Sequence, residues 1–131
     1  MKTLSLRILI LALLLCGSAA CVHLTRVALI NIQNDTDGNV QVNSRFAEQN
    51  TFSEIFTLKP NTSDVFMKYE EKPGDEEEIF DSFGELQLID ESGCKVQINK
   101  TQIRQLAKRD PERAHWVIHI EPDIFKRAGC K

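Results

Sequence analysis

From Val40 to Phe46 the chain reads VQVNSRF, with Val40, Val42, Ser44 and Phe46 on one side of an extended backbone and Gln41, Asn43 and Arg45 on the other. A period of two sets one face against a core and the other in water, the pattern of a half-buried antiparallel strand. The segment is bracketed by turn chemistry. Asn34-Asp35-Thr36-Asp37-Gly38-Asn39 precedes it. Asn and Asp bond their own backbone there, and Gly38 is expected to supply a positive φ.

Similar runs recur along the chain. Arg26–Gln33 (RVALINIQ) carries apolar residues of both parities, which predicts a strand covered on both faces. Phe52–Leu58 places Phe52, Phe56 and Leu58 inward, and Val65, Met67 and Tyr69 form another inward set. Between them Pro60 turns the chain, because it fixes φ and donates no ladder bond. Glu85–Ile89 and Cys94–Ile98 read as strands joined by Asp90-Glu91-Ser92-Gly93, with Cys94, Val96 and Ile98 on the core side. Trp116, Ile118 and Ile120 mark the last strand.

One helix interrupts this series. Asn99 is a predicted N-cap with Gln102 three residues on, a capping-box pattern. Ile103, Leu106 and Ala107 form its apolar stripe, Lys108 and Arg109 suit its negative end, and Pro111 stops it. A short helical segment is expected over 122–128, closed by Gly129.

About seven short strands with regular turns predict a mainly β fold, a small antiparallel β-sandwich, immunoglobulin-like in strand count, with one helix in a crossover. The connections 70–83 and 99–115 are expected to carry the chain between sheets. The alternative is an α+β single sheet with one packed helix.

The opening stretch sets the address. Lys2 and Arg7 precede an apolar run from Ile8 to Cys16, followed by Gly17-Ser18-Ala19-Ala20-Cys21. A basic start, a short apolar core and a small-residue exit is the layout of a secretory signal peptide. A spanning helix needs roughly 20 apolar residues, about twice this run. Ser18-Ala19-Ala20-Cys21 resembles the lipobox of bacterial lipoproteins, with Ser18 where that class usually carries Leu. The resemblance implies a cleaved signal over 1–20, a lipid on Cys21 and attachment to the membrane through it. Because Val22 rather than Asp follows the cysteine, it implies the periplasmic side of the outer membrane. Ordinary signal-peptidase cleavage, giving a soluble periplasmic or secreted protein, also fits the small residues. Residues 21–25 are then a tether, and 26–131 one β-rich domain.

Removing residues 1–20 leaves 111, enough for one modest core. The mature chain holds 14 basic and 19 acidic side chains, a net charge of −5. Such a domain is not built to coat nucleic acid. Cys16 leaves with the signal and Cys21 takes the lipid, so Cys94 and Cys130 remain to pair in an oxidising compartment. The other reading leaves them as two buried thiols.

Several residue groups are candidate sites. Lys100, Arg104 and Lys108 fall at i, i+4 and i+8, a candidate partner-binding helix face extended by Arg109 and Arg113. The same face also reads as an ordinary solvated one. Glu70–Glu78 with Asp81 concentrates acid without fixed ligand spacing. His115 and His119 share a strand face but lie about 13 Å apart, too far to grip one ion. Asp35-Thr36-Asp37-Gly38 resembles the start of a calcium loop, but Gln33 and Ser44 stand where the EF-hand pattern needs stronger ligands. Asn34, Asn61 and Asn99 each begin an N-glycosylation pattern, relevant only to a eukaryotic secreted chain. No Gly-x-Ser-x-Gly nucleophile motif or phosphate-cradling glycine loop is present. No catalytic, cofactor or metal residue is assigned, and a non-enzymatic chain is expected. Three functions stay open: an envelope lipoprotein that binds another envelope protein through a sheet edge, loop 70–83 or the basic helix; a small exported enzyme or enzyme inhibitor; and a eukaryotic secreted glycoprotein.

Overall fold

The computed structural model describes residues 26–130 apart from 47, 73 and 75. The signal segment, Cys21 and the tether lie outside the described residues. In chain order the elements are β1 (Arg26–Asn34), β2 (Val40–Phe46), β3 (Ser53–Leu58), β4 (Ser63–Glu71), a 3-10 turn (Glu78–Ser82), β5 (Phe83–Asp90), β6 (Lys95–Asn99), α1 (Lys100–Leu106), β7 (Ala107–Asp110), β8 (His115–Ile120) and α2 (Pro122–Arg127).

The strands form two four-stranded sheets, β4-β1-β8-β7 and β3-β2-β5-β6. They pack as a β-sandwich, so the single-sheet alternative is excluded. Pairing is antiparallel except between β1 and β8, which run parallel from Ile30 beside Trp116 to Asn34 beside Ile120. Both expected connections change sheets: one through the 3-10 turn from β4 to β5, the other through α1 from β6 to β7.

Alternation builds the core. Ala28, Ile30 and Ile32 of β1 and Trp116, Ile118 and Ile120 of β8 face Val40, Val42, Leu86, Leu88, Val96 and Ile98 of the other sheet, all buried. Phe80 of the 3-10 turn closes one end, edge-on to Trp116 at 4.9 Å and stacked near Phe83 at 5.8 Å. The Cys94–Cys130 disulfide forms, linking the β5–β6 turn to the residues after α2.

Four expectations are corrected. The other face of β1 is not covered: Val27 is 65% exposed and Leu29 half-buried. In β4, Phe66 is an extra residue opposite the Ile30/Asn31 step. This bulge reverses the face of everything before it. Phe66 therefore turns inward onto Phe83 and Phe46, while Val65, expected inside, is 40% exposed. The helix ends at Leu106 rather than running to Pro111, and 107–110 form an eighth strand on β8. Gly38 does not adopt a positive φ. Its turn is held by side chains instead, and a Cβ there would meet the Glu91 carboxyl carbon at 3.4 Å.

The sheet edges are blunted. β3 carries a bulged residue, Ile55, and β4 carries Phe66. β7 is four residues long and presents Lys108. α1 packs against β5, β6, β7 and β8, closing the side between β6 and β7. Bulges, short strands, charge and helical cover are the usual protections against edge pairing, so faces and grooves are better binding candidates than edges.

Candidate functional site

The most buried charge is Glu71, only 2% exposed. It is the last residue of β4, opposite Arg26, the first residue of β1. Its carboxylate accepts from Arg26 Nε at 2.8 Å and from Arg109 of β7 at 3.1 Å. The Tyr69 hydroxyl donates to it over 3.4 Å. Arg109 also lies 3.8 Å from Glu76 and over the Trp116 ring. Burial first, then the Glu71 charge, push the Tyr69 hydroxyl above its ordinary value. This charged plug lies at the end of the sandwich where β1 begins and β4 ends. Nothing in the sequence marked it, because its members come from three separate strands.

The two charged features expected to bind partners bind each other. Lys100 lies 2.8 Å from Asp81, and Arg104 lies 3.8 Å from both Glu77 and Asp81. The Lys100 ammonium, through its hydrogen bond and its charge, holds the Asp81 carboxyl below the usual range. Lys108 is not on the helix but on β7, opposite Val117. The helical stripe is therefore cut to Lys100 and Arg104, both already facing acid. Glu76 is also held low, by backbone N–H groups at 76 and 74.

The other candidates resolve into structure. His115 and His119 share the outer face of β8, and His119 Nδ1 lies 2.7 Å from Asp35 Oδ2. Asp35 thus serves a histidine rather than a calcium loop. Asn34 is fully buried: its Nδ2 donates to the carbonyls of Gly38 and Leu58, and its Oδ1 accepts from the Thr36 backbone and hydroxyl. Such a side chain has no room for a sugar. Asn99 is the N-cap of α1, in a complete capping box with Gln102. Asn61 is exposed at the β3–β4 turn with φ of 56°. Asp90 lies within 4.8 Å of both bridge sulfurs, the one such cluster among the described residues. Disulfide sulfurs are not thiolate ligands. Asp90 instead organises its turn, accepting from Ser92 and from the Cys94 N–H, and the Ser92 hydroxyl foremost keeps its carboxyl low.

Shallow hollows mark the described surface, and three of them border elements already described. One of about 270 Å³ is bordered by Tyr69, Glu70, Lys72, Glu78, Ile79 and Ser82, beside the charged plug. A second, about 240 Å³, lies between the Asn34 turn and the start of α2. The third, also about 240 Å³, is a groove between α1 and α2 with Ile98, Leu106 and Ile124 as its floor. No family model, curated protein or solved structure matches this chain. Among the described residues, no helix is long and apolar enough to cross a membrane.

Proposed function

We propose that this chain is an exported, non-enzymatic binding component of a bacterial envelope, tethered through lipid on Cys21. The observation that carries this reading is the Cys94–Cys130 bridge. It pairs the two cysteines of the domain with each other and leaves Cys21, next to a lipobox-like run, outside the pairing. A disulfide of this kind belongs to an oxidising compartment, which agrees with the apolar, small-residue leader. The entry of the chain into the domain at Arg26 supports a tethered role. That residue is clamped by Glu71, so a pull on the tether acts on the β1–β4 ladder rather than on a loose end.

The test is intact mass of the full-length protein expressed with its own signal in a Gram-negative host, read in membrane and soluble fractions, with and without reductant and alkylation. The expected product is membrane-bound, begins at Cys21, carries acyl chains and gains two alkylatable thiols only on reduction. A soluble, unlipidated product with a reactive Cys21 overturns the anchor and moves a soluble inhibitor or enzyme ahead.

A further inference from the structure

Arginine pairing singles out one position. Five of the six described arginines face a carboxylate: Arg26, Arg45, Arg104, Arg109 and Arg113. Arg127 does not, among the described residues. Its Nε donates to the Asp123 carbonyl at 3.3 Å, which orients the side chain, and among the described residues the terminal N–H groups have no partner. Arg127 stands on the wall of the α1–α2 groove.

The rest of that groove is complementary in a particular way. Its floor is Ile98, Leu106 and Ile124, and its opposite wall carries Gln102 and Gln105. The Gln102 Oε1 is taken by the Asn99 N–H, which leaves its NH₂ group to donate. Gln105 has no hydrogen-bond partner among the described residues. A guanidinium that faces no carboxylate among the described residues, beside an apolar floor and two amides, asks for a carboxylate, an apolar side chain and a polar backbone together. A planar guanidinium grips a carboxylate with paired N–H groups. Amides satisfy peptide N–H and C=O groups, which an acyl chain does not have. We infer that the groove between α1 and α2 binds an extended peptide segment of an envelope protein partner, through an acidic residue on Arg127 and a neighbouring apolar residue on the Ile98–Leu106–Ile124 floor. This names the surface and partner chemistry of the binding component proposed above, and rests on that reading. The Cys94–Cys130 bridge, three residues beyond Arg127, ties this wall of the groove to the β5–β6 turn.

The probe is the peptide acetyl-Gly-Ser-Leu-Glu-Ser-Gly-amide, titrated into the oxidised, ¹⁵N-labelled mature chain carrying Cys21→Ser. Saturable shifts are expected at the amides of Gln102, Leu106, Ile124 and Arg127. Replacing the peptide Glu by Lys, its Leu by Ser, or the protein's Arg127 by Glu is expected to weaken binding about tenfold each, while Arg113→Glu changes nothing. Arg127→Lys, which keeps the charge but not the fork, falls between. Equal binding by the altered peptides, an unaffected Arg127→Glu variant, or shifts confined to another surface overturns the inference. Decanoate shifting the groove where the peptide does not overturns it in favour of an acyl-chain site. In cells, a photo-crosslinker is placed at Gln105 and, separately, at Val117 on the outer face of β8. Crosslinks at Gln105 that Arg127→Glu abolishes support the groove. Crosslinks only at Val117 overturn the groove and leave the binding component standing. No crosslink from either position overturns both.

Discussion

Glu71 is held by two arginines that differ in how much water they keep. Arg109's side chain is 24% exposed and Arg26's is 55%. Removing one partner of a buried ion pair usually costs about 3–5 kcal/mol, because the other charge is left uncompensated. Here both guanidinium groups reach some water, so Glu71→Ala is expected to cost less, about 2–3 kcal/mol in denaturant unfolding. Glu71→Gln, whose amide oxygen still accepts from both arginines, retains part of that loss. If Glu71→Ala unfolds at the wild-type midpoint, the plug contributes nothing and Arg26 is an ordinary surface residue. Arg26→Met tests the other side. It is expected to fall well short of Glu71→Ala, since Arg109 remains within 3.0 Å of the carboxylate.

The elements differ in how far they rely on neighbours. α1 is seven residues, too short to persist alone. Its capping box and the burial of Ile103 hold it. Asn99→Ala is expected to cost about 1 kcal/mol, with loss of helical circular dichroism before the sandwich melts. The bridge closes a separation of 36 residues. In the chain-entropy model that is worth about 3–4 kcal/mol, so Cys94→Ser with Cys130→Ser is expected to lower stability by that amount when compared with the oxidised protein in denaturant. What could be read in advance follows the same division. β2 and the capping box were legible because each is a local pattern, a period of two and a three-residue reciprocity. Cys94 with Cys130 was legible by counting. β7 was not: Ala107-Lys108-Arg109-Asp110 has helical propensity, and only its ladder with β8 makes it a strand. The bulges at Ile55 and Phe66 were equally hidden, because a bulge is a mismatch between two strands and neither sequence alone contains it. The charged plug joins residues 45 and 38 positions apart, and the groove needs α1 and α2 side by side. Pairing of distant segments decides both, and no local pattern encodes it.

At the scale of the whole molecule, protonation ties these parts to pH. Asp81, Asp90 and Glu76 all have folded pKa values below their ordinary ones. A depressed acid favours the folded state above its unfolded value, near 4, and that contribution is lost as pH falls through the lower folded value. All three lie at the surface, so each contributes little and salt weakens the Lys100–Asp81 part of it. Tyr69 acts in the opposite direction. Its pKa is raised, so its contribution is complete below the unfolded value near 10 and is lost as pH rises through the folded one. A stability plateau is therefore expected from about pH 5 to 9, falling on both sides. The two limbs are separable. Lys100→Met is expected to shallow the acid limb alone, since it removes the charge that holds Asp81 low. Tyr69→Phe is expected to shallow the alkaline limb alone, since the phenol is lost while the ring stays packed against the core. Denaturant midpoints measured across pH for the wild type and both variants decide the matter. If Tyr69→Phe leaves the alkaline limb unchanged, Tyr69 titrates as it would in the unfolded chain, and the end of the sandwich around Glu71 is open to water.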